Sequence, residues 1–404
     1  MTAAPTSLVC REIRLRQFRN FAELELRFPE AGAAIVGDNG SGKTNLLEAL
    51  HYLEIFRSFR GAPDEQLVRF GAQAFHIRGR FEDPATGRGV EITAGYEPRT
   101  KRKRVTLDGV ETDRLGDGIG RAGSVIFSPS DVTIVAGAPG ERRRYLDIVL
   151  SLNVRGYLEA LQRYRSVLRQ RNAMLRDGRG SDSLAAWDAG LVESGARIIA
   201  ARHAWVGAHA ARFAELYRAI GGGADATLGF VSDIAIPDDG VAQADGVNEG
   251  GAVPQDNVVA GIAHAFEERL QRVAPRERER GITLAGPHRD DLAVLMNTAD
   301  GPADLRQYGS GGQMRTGAIA LRMIEAETVR EARGLQPLLL LDDVFAELDA
   351  GRSRRILELL SGSRHGQVLL TAPKETDMLL DGFVADGVVA PLARWSIAAA
   401  KVTT

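Results

Sequence analysis

The chain has 404 residues, 44% apolar and 26% charged, an ordinary globular composition; at roughly 100–200 residues per domain it is long enough for two to four domains. Its 51 basic and 53 acidic residues leave a formal charge of −2, so it is no polycation, and any nucleic-acid surface must come from local clustering. One cysteine, Cys10, excludes a disulfide framework and a cysteine zinc site and suits a reducing, cytoplasmic setting, while no apolar run approaches the ~20 residues of a membrane span.

The N-terminus meets charge after nine residues and alternates like a strand, so no signal peptide is expected. Ile13, Leu15 and Phe18 precede a turn at Arg19–Asn20, and Phe21, Leu24, Leu26 and Phe28 alternate after it, which predicts two strands. The apolar run 33–36 then enters Gly37-Asp38-Asn39-Gly40-Ser41-Gly42-Lys43-Thr44, followed by a helical stretch. This is the phosphate-loop pattern G-x-x-x-x-G-K-[ST] in its proper strand-to-helix context. Its glycines let backbone N–H groups face an anion, and the following helix presents its positive end. Lys43 is expected to bridge the β- and γ-phosphates of a nucleotide, and Thr44 to bind Mg²⁺.

Residues 75–127 read as strands, with turns at Asp83–Pro84, Gly87 and Asp108–Gly109. The last follows Lys101-Arg102-Lys103-Arg104, which predicts a basic hairpin. From Glu141 to Val273 the periodicity turns helical, with a break at DGRGSDS (177–183) between two helices of about 30–35 residues that should pair antiparallel. Residues 221–257 hold seven acids and no Lys or Arg, which fits an exposed, partly flexible loop around a short strand at 226–234. A third helix is expected at 258–273, then strands at 282–286 and 290–296, and a long helix from Gln313 to Arg333. Buried strands at PLLLLDD and QVLLTA, separated by a helix at 352–360, complete the pattern.

The second half of a phosphate site needs a carboxylate at the C-terminal edge of a neighbouring parallel strand. Leu338–Leu341 followed by Asp342-Asp343 meets that need. Asp342 is the Mg²⁺-side acid and Asp343 is placed to polarise the attacking water; two acids capping the next helix is the bland alternative. Ser310-Gly311-Gly312-Gln313 opens the long helix, 29 residues before Asp342. By itself it is as readily a helix cap, but its small residues also leave a helix N-terminus open to a phosphate.

Taken together, GDNGSGKTNLLEAL, YGSGGQMRTGAIAL and LLLLDDVFAELD resemble the ABC-type ATPase heads of the SMC and Rad50 kind. LRQFRNF (15–21), FRSFRG (56–61), VIFSPSDVTIVAGAPGERRRYLD (125–147) and LAGPHRDDL (284–292) narrow that resemblance to the RecF family of DNA repair and replication proteins. These motifs span nearly the whole chain. The resemblance implies an α/β fold: an ABC-type P-loop core, Rad50/SMC head-like, with an inserted helical arm lobe. Its lobes would be 1–130 and 282–404 for the ATPase and 131–281 for the arm. It further implies an ATP-dependent homodimer in which Ser310, Gly311 and Gly312, with Gln313 closing the signature, meet the γ-phosphate of ATP held by Lys43 of the other subunit. Glu347-Leu348-Asp349 would be the D-loop. Arg60 resembles an arginine that reaches phosphate in SMC heads, and is equally compatible with a surface ion pair.

Such proteins bind double-stranded DNA and single-strand/duplex gap junctions, and work with RecR, and indirectly RecO, to load recombinase. Departures from the wider ABC pattern stand out. Hydrolysis in such proteins is expected to be DNA-dependent, and Asp343, which replaces the usual Glu, predicts that it is slow; Thr371 replaces the switch histidine; and no Q-loop glutamine is evident. A DNA-binding scaffold with a purely structural nucleotide is the alternative. A transporter ATPase is disfavoured by the 267 residues between Lys43 and Ser310, and a full SMC or Rad50 chain by the short insertion. The expected DNA contacts are Lys101, Arg102, Lys103 and Arg104, with Arg142, Arg143 and Arg144 as a second cluster. His288-Arg289-Asp290-Asp291 resembles a family motif; a local turn held by an Arg–Asp pair explains it equally well.

Overall fold

Four consecutive leucines, Leu338–Leu341, are all fully buried because their strand lies inside a parallel sheet. The computed structural model describes residues 6–178, 181–237, 256–298, 300–345, 348–362, 366–374 and 392–404. The chain forms two compact units, one of Met1–Asp131, Ala219–Gly222 and Glu325–Thr404, the other of Val132–Arg218 and Gly223–Ile324.

The first unit holds two six-stranded sheets. One runs in the order Lys401–Thr403, Ala393–Ala398, Gly32–Val36, Val368–Ala372, Leu338–Asp342, Ser124–Phe127. All its neighbours are parallel except the terminal hairpin. The other is antiparallel, in the order Phe21–Arg27, Val9–Phe18, Phe75–Glu82, Gly89–Glu97, Arg102–Leu107, Val110–Glu111. Its strands alternate as half-buried strands do: Phe75, Ile77 and Phe81 face the core and His76 and Arg80 face away. The helix Lys43–Ile55 shares one apolar cluster with both sheets through Leu46, Leu47, Leu50 and Leu53. That placement brings the strand ends at Val36, Asp342 and Ala372 to the start of the helix, the edge where α/β sheets bind ligands.

The second unit contains helices Pro139–Asn153, Tyr157–Arg176 and Asp256–Arg280, and most of Ser181–Gly221. Arg163 pairs with Glu193 and Arg171 with Asp188, which sets Tyr157–Arg176 and Ser181–Gly221 antiparallel, as the sequence predicts. The first of the two expected long helices is instead broken. Gly156 takes a left-handed conformation (φ 80°) and divides it into Pro139–Asn153 and Tyr157–Arg176. The expected strand at 282–286 is absent. Its backbone N–H groups bond side chains, Thr283 to Asn172, Leu284 to Glu277 and Gly286 to Asp233, and so cannot join a ladder. Asp291–Thr298 pairs with Ala226–Val231 on one side and Gly301–Asp304 on the other, a three-stranded antiparallel sheet. That pairing draws residues 282–324 into this unit, where the family resemblance implies a boundary at 281. Of the expected loop 221–257, residues 238–255 lie outside the described ones. No described helix is long and apolar enough to cross a membrane.

Candidate nucleotide site

The phosphate loop leaves Val36, and Lys43 opens the helix behind it. Gly42 sits at φ 118°, and a Cβ there would lie 2.7 Å from the Asn20 side chain, so only glycine serves. Asp38, Asn39 and Gly40 are exposed at the crest, while Ser41, Gly42 and Lys43 are buried beneath it. Gly37 approaches the terminal hairpin so closely that a Cβ would fall 2.2 Å from the Ile397 carbonyl oxygen.

Two further elements hold the loop. The Asn20 amide donates to the Ser41 carbonyl (3.1 Å) and its oxygen accepts from Asn45 (2.8 Å). The Ala400 N–H donates to the same Ser41 carbonyl at 3.1 Å, from a turn in which Ala399 and Ala400 are both left-handed. Non-glycine residues in that conformation are strained, and such strain collects at functional sites. The hairpin Ala393–Thr403 has no counterpart among the expected elements. The alternation of buried Trp395 and Ile397 with exposed neighbours is the signal that marks it.

Lys43 is buried, and its Nζ donates to the carbonyls of Gly37 (2.6 Å) and Asp38 (3.2 Å). The Thr44 hydroxyl donates to Asp342 Oδ1 at 2.9 Å. Residues 298 apart in sequence thus meet as the two motifs require. Burial lifts the Asp342 carboxyl to about 6; neighbouring Asp343 adds to the rise, and the Thr44 and Thr371 hydroxyls and Arg60 oppose it. Thr371 lies between the two acids, its Oγ1 3.0 Å from Asp342 Oδ1 and accepting from the Asp343 N–H at 3.1 Å. Asp343 itself is half-buried and left-handed (φ 46°). Thr371 therefore organises the acid pair.

Magnesium and a triphosphate fit these groups. Thr44 and Asp342 present hard oxygen donors side by side, and the buried Ser41 hydroxyl lacks a protein partner, as a loop built to be completed by an anion would. In the other unit, Ser310 and Gln313 form a reciprocal cap: Gln313 N–H donates to Ser310 Oγ (3.2 Å) and Ser310 N–H to Gln313 Oε1 (2.8 Å). Ser310 and Gly311 are exposed, and Gly311 has open space around it. Asp349 Oδ1 accepts from the Arg352 N–H and so caps Ala350–Gly362; Glu347 lies outside the described residues.

A family model described as "AAA domain, putative AbiEii toxin, Type IV TA system" matches residues 33–372. The chain is 36% identical to the DNA replication and repair protein RecF of Salinibacter ruber over 91% of its own length and 85% of that protein's. It is 37% identical to the protein of that name from Anaeromyxobacter dehalogenans, over 86% and 88%. The chain belongs to the RecF family. Two solved structures of the recombination mediator protein RecF, one with ATP and one with an ATP analogue, superpose at TM-scores of 0.81 and 0.82, with 30% and 29% identity and 99% or more of each chain covered. An SMC head domain from Pyrococcus furiosus shares the fold, at 15% identity and a TM-score of 0.53 over 98% of this chain and 96% of that one. The expected ABC-type α/β core, sharing its fold with an SMC head and carrying a helical insertion, is therefore present.

The family's other motifs take definite places in this chain. Arg60 is exposed on the loop after the phosphate-loop helix. Arg142 is a correction to the expected DNA contacts: it is 4% exposed and grips Asp291 with two bonds of 2.7 Å, its remaining donors on the Val135 and Gly137 carbonyls. No edge of it is left for a phosphate. Arg143 is half-buried and donates to the Asp290 carbonyl, while Arg144 is exposed. On the hairpin, Lys103 is likewise occupied, by Asp64 (2.6 Å), the Phe56 carbonyl (2.7 Å) and the Tyr52 ring. Lys101, Arg102 and Arg104 are exposed, with Arg102 paired to Glu111.

The motif 284–292 takes a structural role that its residues alone did not disclose. Asp290 pairs with buried Arg202 (3.0 Å), which also donates to the Pro287 carbonyl (2.6 Å) and to Asp147 (2.8 Å). His288 Nδ1 meets the Tyr164 hydroxyl at 2.6 Å. Burial holds this histidine down at about 4, the Thr283 carbonyl opposing and Arg289 adding to the fall.

Proposed function

We propose that this chain is an ATP-dependent DNA-binding protein of DNA replication and recombinational repair. On this reading it binds Mg²⁺ and ATP at the phosphate loop, closes as a dimer on duplex DNA next to single-strand gaps, and hydrolyses ATP slowly. The observation that carries this reading is the meeting of Thr44 with Asp342 beneath a glycine-built phosphate loop. The RecF names of its relatives and the ATP-bound neighbours support it.

The residues have separable tasks. Lys43 leaves the Gly37 and Asp38 carbonyls for the β- and γ-phosphates. Thr44 and Asp342 would hold Mg²⁺, which would supply neutralisation of phosphate charge. Asp343, set by its N–H bond to Thr371, orients water at the γ-phosphate. Its side chain is shorter than glutamate, which supports slow turnover. Ser310 and Gly311, exposed at a helix start, and half-buried Gly312 meet the γ-phosphate on a second copy, and the cap from Gln313 keeps that helix end formed. Arg60 approaches the same phosphates. Lys101, Arg102, Arg104 and Arg144 are the proposed DNA contacts. RecR, and through it RecO, are the proposed protein partners, and a cytoplasmic setting suits this role.

Light scattering with Mg²⁺-ATP, with and without gapped DNA, tests the composite site on the wild type and Ser310→Arg. Wild type is expected to double in mass with nucleotide and the variant to stay monomeric with ATP still bound. A variant that dimerises refutes the composite site. Turnover indistinguishable from zero with DNA present would leave the nucleotide structural.

A further inference from the structure

Glu48 lies on the phosphate-loop helix five residues after Lys43, with no exposed surface. Two groups converge on its carboxylate through three hydrogen bonds. Arg19 grips it with two bonds, Nε to Oε2 at 2.8 Å and Nη2 to Oε1 at 2.9 Å. The buried Ser58 hydroxyl donates to Oε1 in a short hydrogen bond, and the same Oγ accepts the Arg60 N–H at 3.1 Å.

Each partner leads somewhere functional. Arg19 is left-handed (φ 53°) and directly precedes Asn20, whose amide holds Ser41 in the phosphate loop. Ser58 is the centre of the short loop that carries Arg60. The base of that loop is fixed separately: Lys103 donates to the Phe56 carbonyl and pairs with Asp64, which also accepts from the Tyr52 hydroxyl (2.9 Å). The loop is thus pinned at its base and centre while the Arg60 side chain is left in solvent. Apolar packing stabilises an interior at least as well as a buried ion pair does, so stability alone is a weak reason for this one. Its geometry suits another task, holding two loops in one register.

We propose that Glu48, held by Arg19 and acting through Ser58, positions Arg60 against the phosphate loop, so that Arg19, Glu48 and Ser58 are positioning residues for the phosphate contact of Arg60. This rests on the reading of Arg60 as a phosphate-facing residue. The motifs LRQFRNF and FRSFRG then work as one device joined by a carboxylate of the nucleotide-binding helix.

The test is a double-mutant cycle on the full chain, with steady-state ATP turnover and ATP affinity measured with Mg²⁺ and DNA present. Ser58→Ala removes the relay while leaving the Arg19–Glu48 pair intact, and Glu48→Gln is the second, shape-preserving variant. Ser58→Ala and Arg60→Ala are each expected to lower kcat about tenfold with KM for ATP changed less than about threefold; the double variant should match Arg60→Ala alone, a coupling within the range known for residues in one network. Glu48→Gln combined with Arg60→Ala should be non-additive in the same way. Losses that multiply to about a hundredfold, or wild-type turnover for both Ser58→Ala and Glu48→Gln, overturn the positioning role and leave Arg60 standing. Wild-type turnover in Arg60→Ala overturns the reading of Arg60 itself.

Discussion

The phosphate loop and the polar interior of the helical unit use the same chemistry to opposite ends. Around Arg202 the hydrogen bonds close on themselves: one guanidinium meets Asp147, Asp290, the Tyr157 hydroxyl and the Pro287 carbonyl. Around Lys43 they stay open to a ligand. The ammonium rests on two backbone carbonyls, the Ser41 hydroxyl is buried without a protein partner, and the crest above it is exposed. A charged motif thus marks architecture when its bonds end inside the fold, and a site when they end at an opening. The same contrast separates Arg142, spent on Asp291, from exposed Arg144 two residues on.

That contrast is sharpest in stability. Arg202→Ala strips a partner from two buried carboxylates and is expected to cost about 3–5 kcal/mol, read as a lower midpoint in urea. ATP affinity of the protein that remains folded should be unchanged. Lys43→Ala should do the reverse, weakening ATP binding about 100-fold by titration calorimetry while moving the urea midpoint little. A large stability loss in Lys43→Ala would break the distinction between open and closed sites.

His288 offers a pH handle on the closed network. Its folded value of about 4 lies below the ordinary 6.5, so the unfolded chain takes up the proton first as pH falls. The stability carried by the neutral ring is whole above pH 6.5 and is lost as pH falls toward 4. Between pH 7 and 5 it should amount to about 1–2 kcal/mol, and His288→Gln should show a correspondingly flatter pH dependence in urea titrations. The smallest expected effect concerns the hairpin. Arg104→Ala should lower the salt slope of DNA binding by about one, whereas Lys103→Ala should leave the slope alone and loosen the fold. Equal slopes for both variants would mean that burial is no guide to DNA contact here.

The sequence by itself determined whatever is written in consecutive residues. The phosphate loop, the acid pair after the leucine strand, the capped signature helix and the antiparallel arm helices were all legible, because local backbone geometry or strict periodicity defines each of them. Tertiary structure decided everything that depends on a distant partner. A helix-like run does not say that Gly156 will turn left-handed, nor does a strand-like 282–286 say that Asn172, Glu277 and Asp233 will take its N–H groups. Basic residues in a row give no hint that Arg142 and Lys103 turn inward while Arg144 and Arg104 do not, since that depends on Asp291 and Asp64 being carried to them. The support of the site is hidden for the same reason. Asn20 and Ala400 under Ser41, Thr371 between Asp342 and Asp343, and Glu48 between Arg19 and Ser58 are contacts made only when sheet order and helix packing bring remote segments to one edge.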